Sequence, residues 1–311
     1  MDKDIDVLVL GSLNMDLIIE TDRNPYPGET IRGKAFYTSP GGKGDNQAVA
    51  IGRLGGNVSF MGCVGKDEYG RQLIANLIDN HVNTGGIAEL DGVSTGLAFI
   101  NVFKGQNTII LYAGANGQCT IDQMKHYEGM IKRARILLMQ LEIPLETVVW
   151  AASVAKKSDT MVVLNPAPAV TLDDEFYRDI DVLVPNELEA QQLLDMEVKR
   201  RSDYDKMVTM LTDMGVKNAI ITLGSKGMIY NSGSGIKHKP AYEVKAVDST
   251  GAGDAFIGGL CHALAQGMDM DRATDYANAV AAISVTRIGA QSASPTAKEV
   301  EEFLYLSSIR L

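Results

Sequence analysis

Short runs of consecutive hydrophobic residues alternate along the chain with segments in which hydrophobic residues recur every three or four positions. The runs are too short for helices and are bounded by polar residues, so they predict buried strands at 5–10, 136–141, 161–164, 182–184 and 219–223. The periodic segments predict helices at 145–156, 187–196 and 204–214. This alternation predicts an α/β fold with a mainly parallel central sheet flanked by helices.

Two further stretches do not fit the alternation. Residues 30–37 and 97–112, the latter broken by a turn at 104–107, read as strands of a small antiparallel sheet. We expect segments at about 13–38 and 94–114 to supply a lid that covers the sheet edge and excludes water. A dimer contact is an equally open interpretation of the same pattern.

Polar residues follow the predicted strands. In open α/β sheets ligands bind at the carboxyl ends of the strands, so a series of such residues indicates a binding site there. Strands also end in polar residues simply because loops meet water, and this explains any single case well. The residues concerned are Asn14, Asp16, Glu142, Asn165, Asn186 and Thr222.

Composition narrows the classes of function. The 311 residues carry a net charge of −10, which argues against a nucleic-acid surface because that would show a basic stripe. Three scattered cysteines without a CxxC pair suggest neither a zinc site nor a disulfide framework. The acidic start of the chain and the lack of a long apolar run predict no export signal and no membrane span. We expect a cytoplasmic protein whose residues 1–311 form a single domain.

The segment from Val247 to Phe256 is the first candidate for chemistry. Its glycines allow a tight turn, and the apolar residues that follow recur at helical spacing, so free backbone amides would open directly onto a helix. Such a junction attracts phosphate, and Asp254 there could accept a proton from a neighbouring hydroxyl. A simple N-terminal capping role for Asp254 is the competing interpretation.

A second glycine-rich segment, Gly41-Gly42-Lys43-Gly44, precedes an apolar helical run. Lys43 and Asn46 would present a cation and an amide at the start of that helix, which suits recognition of phosphate or of a polyhydroxyl compound. A purely structural loop also explains it. The Walker A spacing and the G-x-G-x-x-G fingerprint are both absent.

Taken together, these segments resemble the two signature regions of the ribokinase-like (phosphofructokinase B) family of sugar and nucleoside kinases. The resemblance runs in order from about residue 5 to the C-terminus and includes shorter similar segments at 14–16, 27–30, 140–142, 186–189 and 286–291. It implies a ribokinase-like fold with a small β lid.

The resemblance implies a sugar site and a catalytic group. The positions that match the family's sugar-binding residues are Asn14, Asp16, Gly42, Lys43, Asn46 and Glu142. Carboxylates can accept from vicinal hydroxyls, and amides both donate and accept. Asp254 matches the general base, and the amides of Gly251, Ala252 and Gly253 match the anion hole that stabilises the transferring phosphoryl group.

The resemblance also implies a nucleotide site and two metal ions. Asn186 and Glu189 match an Asn-x-x-Glu motif that organises Mg²⁺, while Thr222, Gly224, Gly227 and Asn278 match the ATP-binding positions, together with Gly253. A helix-capping role is the alternative for the acids at 187 and 189. Positions that match a site for K⁺ or another monovalent cation are Asp248, Thr250, Ser284, Arg287 and Gly289.

The chain departs from the family pattern at two positions. The family often has a serine where this chain has Ala293, so a hydroxyl ligand for K⁺ would have to come from Ser292 or Ser294. The family commonly has a small apolar residue where this chain has Asp45, and an extra carboxylate there would either alter sugar selectivity or face solvent.

The leading hypothesis is an ATP-dependent kinase that converts D-ribose to ribose 5-phosphate. Two alternatives remain open: the same reaction on 2-deoxyribose, another furanose or a nucleoside, and a sugar-binding regulator without catalysis. The resemblance also implies a homodimer joined through the lid, for which Leu97, Phe99, Ile109 and Leu111 are candidates. The same alternation would arise if these strands packed on their own core.

Overall fold

The central sheet is organised around its first strand, whose alternate residues enter two different cores. We describe residues 3–233 and 235–309 of a computed structural model. In strand β1, Val7 and Val9 pack into the core on one face of the sheet, while Leu8 and Leu10 pack into the core on the other. All four are fully buried, as expected for a strand covered by helices on both sides.

The described residues form two sheets. The strands are β1 (Ile5–Leu10), β2 (Asn14–Glu20), β3 (Ala35–Gly41), β4 (Val58–Gly65), β5 (Asn83–Leu90), β6 (Gly96–Phe103), β7 (Gln106–Tyr112), β8 (Ala134–Met139), β9 (Met161–Leu164), β10 (Val182–Leu183), β11 (Asn218–Thr222), β12 (Met228–Ser232) and β13 (Gly235–Lys239). The helices are α1 (Lys43–Arg53), α2 (Glu68–Asp79), α3 (Ile121–Met124), α4 (Glu128–Arg133), α5 (Leu145–Lys157), α6 (Asp174–Tyr177), α7 (Glu187–Leu194), α8 (Ser202–Asp213), α9 (Ala252–Ala265), α10 (Met270–Ser284) and α11 (Ala297–Ile309).

The larger sheet has nine strands in the order β13-β12-β11-β10-β9-β8-β1-β4-β5. Its pairings are parallel from β5 to β11, and β12 and β13 add an antiparallel edge. The predicted α/β fold with a mainly parallel sheet is therefore confirmed. The five predicted strands and three predicted helices are all present, with ends that differ by at most two residues.

The smaller sheet, which we call the lid, has the order β3-β2-β6-β7. Its outer pairs β2–β3 and β6–β7 are antiparallel as predicted, but the central pair β2–β6 is parallel. The strand expected at 30–37 begins only at Ala35, because residues 30–34 form no ladder. The turn between β6 and β7 needs only two residues, Lys104 and Gly105, both at positive φ.

No helix among residues 3–233 and 235–309 is long and apolar enough to cross a membrane. The prediction of a single domain over 1–311 remains a prediction.

The helices α1 and α9 pack closely where a glycine removes the side chain between them. A Cβ atom added at Gly258 in α9 would lie 2.6 Å from the Cβ of Ala50 and 3.1 Å from the carbonyl oxygen of Gln47, both in α1. This close crossing brings the N-terminal ends of the two helices to the same edge of the sheet.

We predict that Gly258→Ala lowers the free energy of unfolding by about 1–3 kcal/mol, because the added methyl group overpacks the α1–α9 contact. Gly129→Ala in α4 is the matched control, since its added Cβ would meet nothing within 4 Å. The control should be neutral or stabilising by up to about 1 kcal/mol, as alanine is the better helix former. Urea unfolding of both variants measures the difference, and equal effects would contradict the packing argument.

Candidate active site

The two glycine-rich segments each end in a helix whose first turn faces the same space. Helix α1 begins at Lys43 after Gly42, and α9 begins at Ala252 after Gly251. Both preceding glycines have positive φ, 95° at Gly42 and 71° at Gly251, a conformation that other residues rarely adopt. The positive ends of two helix dipoles therefore lie near one another, although the first-turn amides of α1 donate to Glu142 and Ser12.

Side chains of α1 hold Asp254 by both carboxylate oxygens. Asn46 Nδ2 donates to Oδ2 at 3.0 Å, and Gln47 Nε2 donates to Oδ1 at 2.9 Å. Asp254 is thus fixed in the first turn of α9, with lone pairs left to accept a further proton or hydrogen bond. This contact, between residues more than 200 positions apart, joins the two predicted chemical segments.

The predicted sugar-binding residues lie around the start of α1. Glu142 accepts from the hydroxyl of Ser12 and, at 3.1 Å, from the backbone amide of Lys43. Asn14 Oδ1 accepts from Asn116 at 2.8 Å. Asp16 lies against Gly41, where an added Cβ would come within 2.4 Å of its carboxylate.

Lys43 is surrounded by acids. Burial alone would lower the pKa of Lys43, but the nearby carboxylates of Asp254, Glu142 and Glu189 outweigh burial and raise it. Lys43 therefore stays charged, and it links the sugar side of the site to the acid on α7. In a chain of net charge −10, this residue provides local positive potential where an anion would have to bind.

Asp16 is the group of this site whose charge varies near neutral pH. Burial raises the pKa of Asp16 to about 7, and the charge of Glu142 contributes to the increase. An ionised Asp16 is an acceptor only, whereas a protonated one also donates a hydrogen bond.

The predicted nucleotide residues line the adjoining strand ends. Asn186 and Glu189 form a reciprocal capping box on α7, at 2.8 and 2.9 Å, so their capping role is present. Thr222 lies beside Asn186 through a parallel β-bridge. Burial raises the pKa of Glu189. The hydrogen bond from the Asn186 amide and the charge of Lys43 lower it, but burial has the larger effect.

Gly227 and Asn278 both lie against the backbone of Lys239 and Pro240. Asn278 Nδ2 donates to the carbonyl oxygen of Pro240 at 2.9 Å. A Cβ at Gly227 would lie 2.0 Å from the carbonyl oxygen of Lys239, so only glycine allows this approach. Gly224, with φ 58°, begins the short turn between Thr222 and Gly227.

The residues proposed for a monovalent cation lie in the loop before α9 and at the end of α10 with the loop that follows it, and Asp248 joins these two segments. Its Oδ2 accepts from the Gly289 amide at 2.9 Å, and its Oδ1 accepts from the amide and hydroxyl of Thr250. Burial alone would raise the pKa of Asp248, but these hydrogen bonds hold it below its usual value. The side chains of Ser284 and Arg287 are engaged by Ala281 and Glu299.

Within the described part of the chain, no three His, Cys, Asp or Glu side chains cluster as a preformed metal cage.

Comparisons with known proteins identify the family of the chain. The family model described as pfkB family carbohydrate kinase matches residues 4–297. The chain belongs to the pfkB family of carbohydrate kinases. The ribokinase of Haemophilus influenzae is 41% identical over 297 residues, which cover 95% of this chain and 97% of the relative. The deoxyribokinase of Salmonella typhi is 37% identical over 306 residues, which cover 97% and 100%.

Solved structures confirm the ribokinase-like fold. The ribokinase of Thermotoga maritima matches with a TM-score of 0.88 at 37% identity, covering 97% of this chain and 99% of its own. The ribokinase of Arabidopsis thaliana, complexed with ribose and ATP, matches with a TM-score of 0.90 at 30% identity, covering 98% and 99%.

A network of polar side chains supports the residues of the two signature segments, and the sequence analysis did not predict this network. Gln47 also contacts Asn165 at 3.2 Å and accepts from Gln140 at 2.6 Å, so Asp254 is supported from the ends of β8 and β9. Asn165 could be recognised from the sequence, because it is the polar residue that directly follows β9. Asn116 had no such signal, because its role depends on contact with Asn14.

We predict that Asp16→Asn stabilises this pfkB protein in the absence of ligand, increasingly as pH rises from about 4 to about 7. The pKa of Asp16 is raised to about 7 in the folded state, so the unfolded chain loses this proton first and folding stability declines across that window. The asparagine variant does not titrate and lacks this decline. At pH 8 the difference should be roughly 2–4 kcal/mol.

Urea unfolding at several pH values between 5 and 8 measures this difference. A difference in stability that does not change with pH would show that Asp16 is not the titrating group.

Proposed function

We propose that this protein is an ATP-dependent kinase that phosphorylates the primary 5-hydroxyl of D-ribose to give ribose 5-phosphate and ADP. The observation that carries the proposal is the fixing of Asp254 by Asn46 and Gln47 at the N-terminus of α9, beside Lys43. The ribokinase relatives named above support ribose as the acceptor.

In this proposal Asp254 is the general base. The sugar hydroxyl gives its proton to Asp254 while its oxygen attacks the terminal phosphorus of ATP, and ADP leaves. The backbone amides of Gly251, which precedes α9, and of Ala252 and Gly253 in its first turn stabilise charge on the transferring group. The Ala252 amide also donates to Ser249 at 3.2 Å, so it would have to serve both acceptors.

The sugar would be held by the residues grouped around the start of α1. Amide and carboxylate side chains there offer both donors and acceptors to its hydroxyls. They are Asn14, Asp16, Gly42, Lys43, Asn46 and Glu142.

The nucleotide would lie along Asn186, Glu189, Thr222, Gly224, Gly227 and Asn278. We propose that Glu189 and Asn186 orient Mg²⁺ through its waters, since the capping box uses one carboxylate oxygen of Glu189 and leaves the other available. Mg²⁺ supplies charge neutralisation on the phosphates.

A monovalent cation, K⁺ in the family resemblance, is proposed at the loops of Asp248, Thr250, Ser284, Arg287 and Gly289. Because the side chains of these residues are engaged, ligands would come mainly from backbone carbonyl oxygens. Ala293 is fully buried and offers no hydroxyl, and the Ser292 hydroxyl donates to the carbonyl of Ile288. A hydroxyl ligand would therefore have to come from Ser294, and the other ligands would be backbone oxygens.

2-Deoxyribose is a second candidate acceptor, because a deoxyribokinase is 37% identical over nearly the whole chain. A coupled ADP-release assay with ribose, 2-deoxyribose, other furanoses and nucleosides ranks the acceptors by kcat/KM. A nucleoside ranked above both pentoses would contradict the proposal. Ribose binding without phosphoryl transfer would instead favour the non-catalytic alternative.

We predict that Asp254→Asn lowers kcat with ribose by about 10²–10⁴-fold, the usual contribution of a general base, while ribose affinity changes little. Asp213→Asn makes the same chemical change at an exposed position of α8 and serves as the control. Steady-state kinetics and calorimetric ribose binding separate the two effects. Near-normal turnover by Asp254→Asn would remove Asp254 as the base.

We also propose that the chain forms a homodimer through the lid. Strand β7 is exposed along its whole length, including Ile109, Ile110 and Leu111. Pairing of Phe99 with Ile110 places Leu97 and Phe99 on one face and Ile109 and Leu111 on the other, so the four candidate residues do not form one surface. The face opposite Asp16 carries Phe36 and Ile110, which are 64% and 67% exposed and need a cover.

We predict that Ile110→Lys converts the dimer to a monomer, because a buried unpaired charge at the lid contact is costly. Ile78→Lys on α2 places the same charge at a hydrophobic residue that is 56% exposed and belongs to no lid strand. Sedimentation or light scattering compares the two variants. Dissociation by both variants, or by neither, would contradict an interface on the lid.

A further inference from the structure

A chain of three amide side chains leads from α2 to one carboxylate oxygen of Asp254. Asn76 Nδ2 on α2 donates to Gln291 Oε1 at 2.8 Å, and Gln291 Nε2 donates to Asn46 Oδ1 at 3.1 Å. Asn46 Nδ2 then donates to Asp254 Oδ2 at 3.0 Å. We call the amides of Asn76, Gln291 and Asn46 the amide relay. The sequence predicts a role only for Asn46, because the other two reach the site through contacts between distant segments.

The amide relay has a direction that Asp254 sets. A carboxylate only accepts hydrogen bonds, so Asn46 must turn its nitrogen towards Asp254 and its oxygen away. That oxygen is satisfied only if Gln291 presents its own nitrogen, which leaves the Gln291 oxygen to accept from Asn76. Each amide therefore has one orientation that satisfies both of its neighbours. Reversing one of them would place like atoms together.

Gln291 belongs to a loop that packs on the turn before α9. A Cβ atom added at Gly251 would lie 2.6 Å from the Cβ of Ala290, the residue before Gln291. In the same loop, the Gly289 amide donates to Asp248 at 2.9 Å. The half-buried Gln291 side chain therefore extends from a backbone that already lies against the start of α9.

Asp45 does not take the Gln291 amide from the relay. It is fully buried, so the interpretation that it faces solvent is wrong. Burial raises the pKa of Asp45 well above its usual value, and the side chain of Gln291 opposes this rise. Within the described residues, however, neither Asp45 oxygen has a hydrogen-bond partner, whereas Gln291 donates to Asn46.

We propose that Gln291 is a positioning residue for catalysis: it holds the Asn46 amide in the orientation that presents nitrogen, not oxygen, to Asp254. In the proposed function, on which this inference rests, Asp254 is the base. With Asn46 reversed, an oxygen would face the carboxylate and displace it from the hydroxyl that it must deprotonate. A misplacement of this kind costs up to about 10²-fold in rate.

Asn76→Asp tests the amide relay from its far end. An acceptor-only side chain at position 76 attracts the Gln291 nitrogen, which reverses Gln291 and then Asn46. With the pentose that the acceptor assay ranks first, kcat should fall about tenfold while KM for ATP stays within about threefold of the wild type. Asn76→Leu reverses nothing and should lower kcat by no more than about threefold.

Ala75→Asp is the control for charge, since it adds the same carboxylate at an exposed neighbouring position of α2. Its kcat should stay within about twofold of the wild type. Equal losses in Ala75→Asp and Asn76→Asp would overturn the inference, because charge alone would then explain both. Wild-type kcat in Asn76→Asp would also overturn it.

Gln291→Met shows whether the effect passes through Gln291. Methionine has a similar length but no amide, so this variant alone should lower kcat by about 2- to 10-fold. In its background Asn76→Asp should cause no further loss. An undiminished further loss, or wild-type kcat in Gln291→Met, would contradict a positioning role for Gln291.

A cycle of unfolding measurements with Asp254→Asn needs no turnover. In the wild-type background Asn76→Asp should raise the unfolding equilibrium constant about tenfold, because the reversed relay places two oxygens together at Asp254. In the Asp254→Asn background the new amide nitrogen can donate to the reversed Asn46, while its oxygen still accepts from Gln47. The increase there should be at most about threefold.

Urea unfolding of the full chain measures this cycle, and Ala75→Asp should behave alike in both backgrounds. A purely structural role of Asn76 would give the same increase with and without Asp254→Asn, which would overturn the inference. A wild-type chain that transfers no phosphoryl group to any pentose would contradict the proposed function, while the unfolding cycle would still decide whether the amide relay orients Asp254.

Discussion

The site depends on one pair of hydrogen bonds, from Asn46 and Gln47 at the start of α1 to the carboxylate of Asp254 at the start of α9. These bonds fix the acid without consuming its remaining lone pairs. They form only because Gly258 lets the two helices approach, and because Gly42 and Gly251 turn the chain into each helix at positive φ. A carboxylate placed in this way needs no unusual chemistry to accept a proton, since position contributes most of the effect.

Charge balance is the second constraint on the site. Three acids, Glu142, Glu189 and Asp254, lie around Lys43, and burial together with the charge of Glu142 raises the pKa of Asp16 to about 7. The protein thereby keeps a charged Lys43 for an anion while offering acceptors to a polyhydroxyl ligand. The low stability expected from such crowding is typical of sites where binding takes precedence over folding.

The lid shows a different compromise. Its strands expose hydrophobic residues on both faces. The parallel pairing of β2 with β6 places Asn14 and Asp16 at the end of the lid where β2 begins. The face that carries these polar residues looks onto the site, and the opposite face, although partly packed on the core at Met15, Leu17 and Leu97, leaves Phe36 and Ile110 exposed. One sheet thus offers both a wall for a small ligand and a surface for a partner.

The amino-acid sequence by itself determined those features of the fold and site that depend on the local pattern of residues. Continuous apolar runs specified the buried strands, glycines before apolar helices specified the two N-terminal turns, and the order of motifs specified the family. These features follow from neighbours within a few residues, so they can be read without coordinates.

Only the tertiary structure decided which distant groups meet. The support of Asp254 by Gln47 and Asn165, the burial of Asp45, the position of Asp16 against Gly41 and the division of the lid residues between two faces all depend on contacts across the chain. Strand pairing and burial set these contacts, and a change of one residue in register would reverse them. No local pattern contains that information.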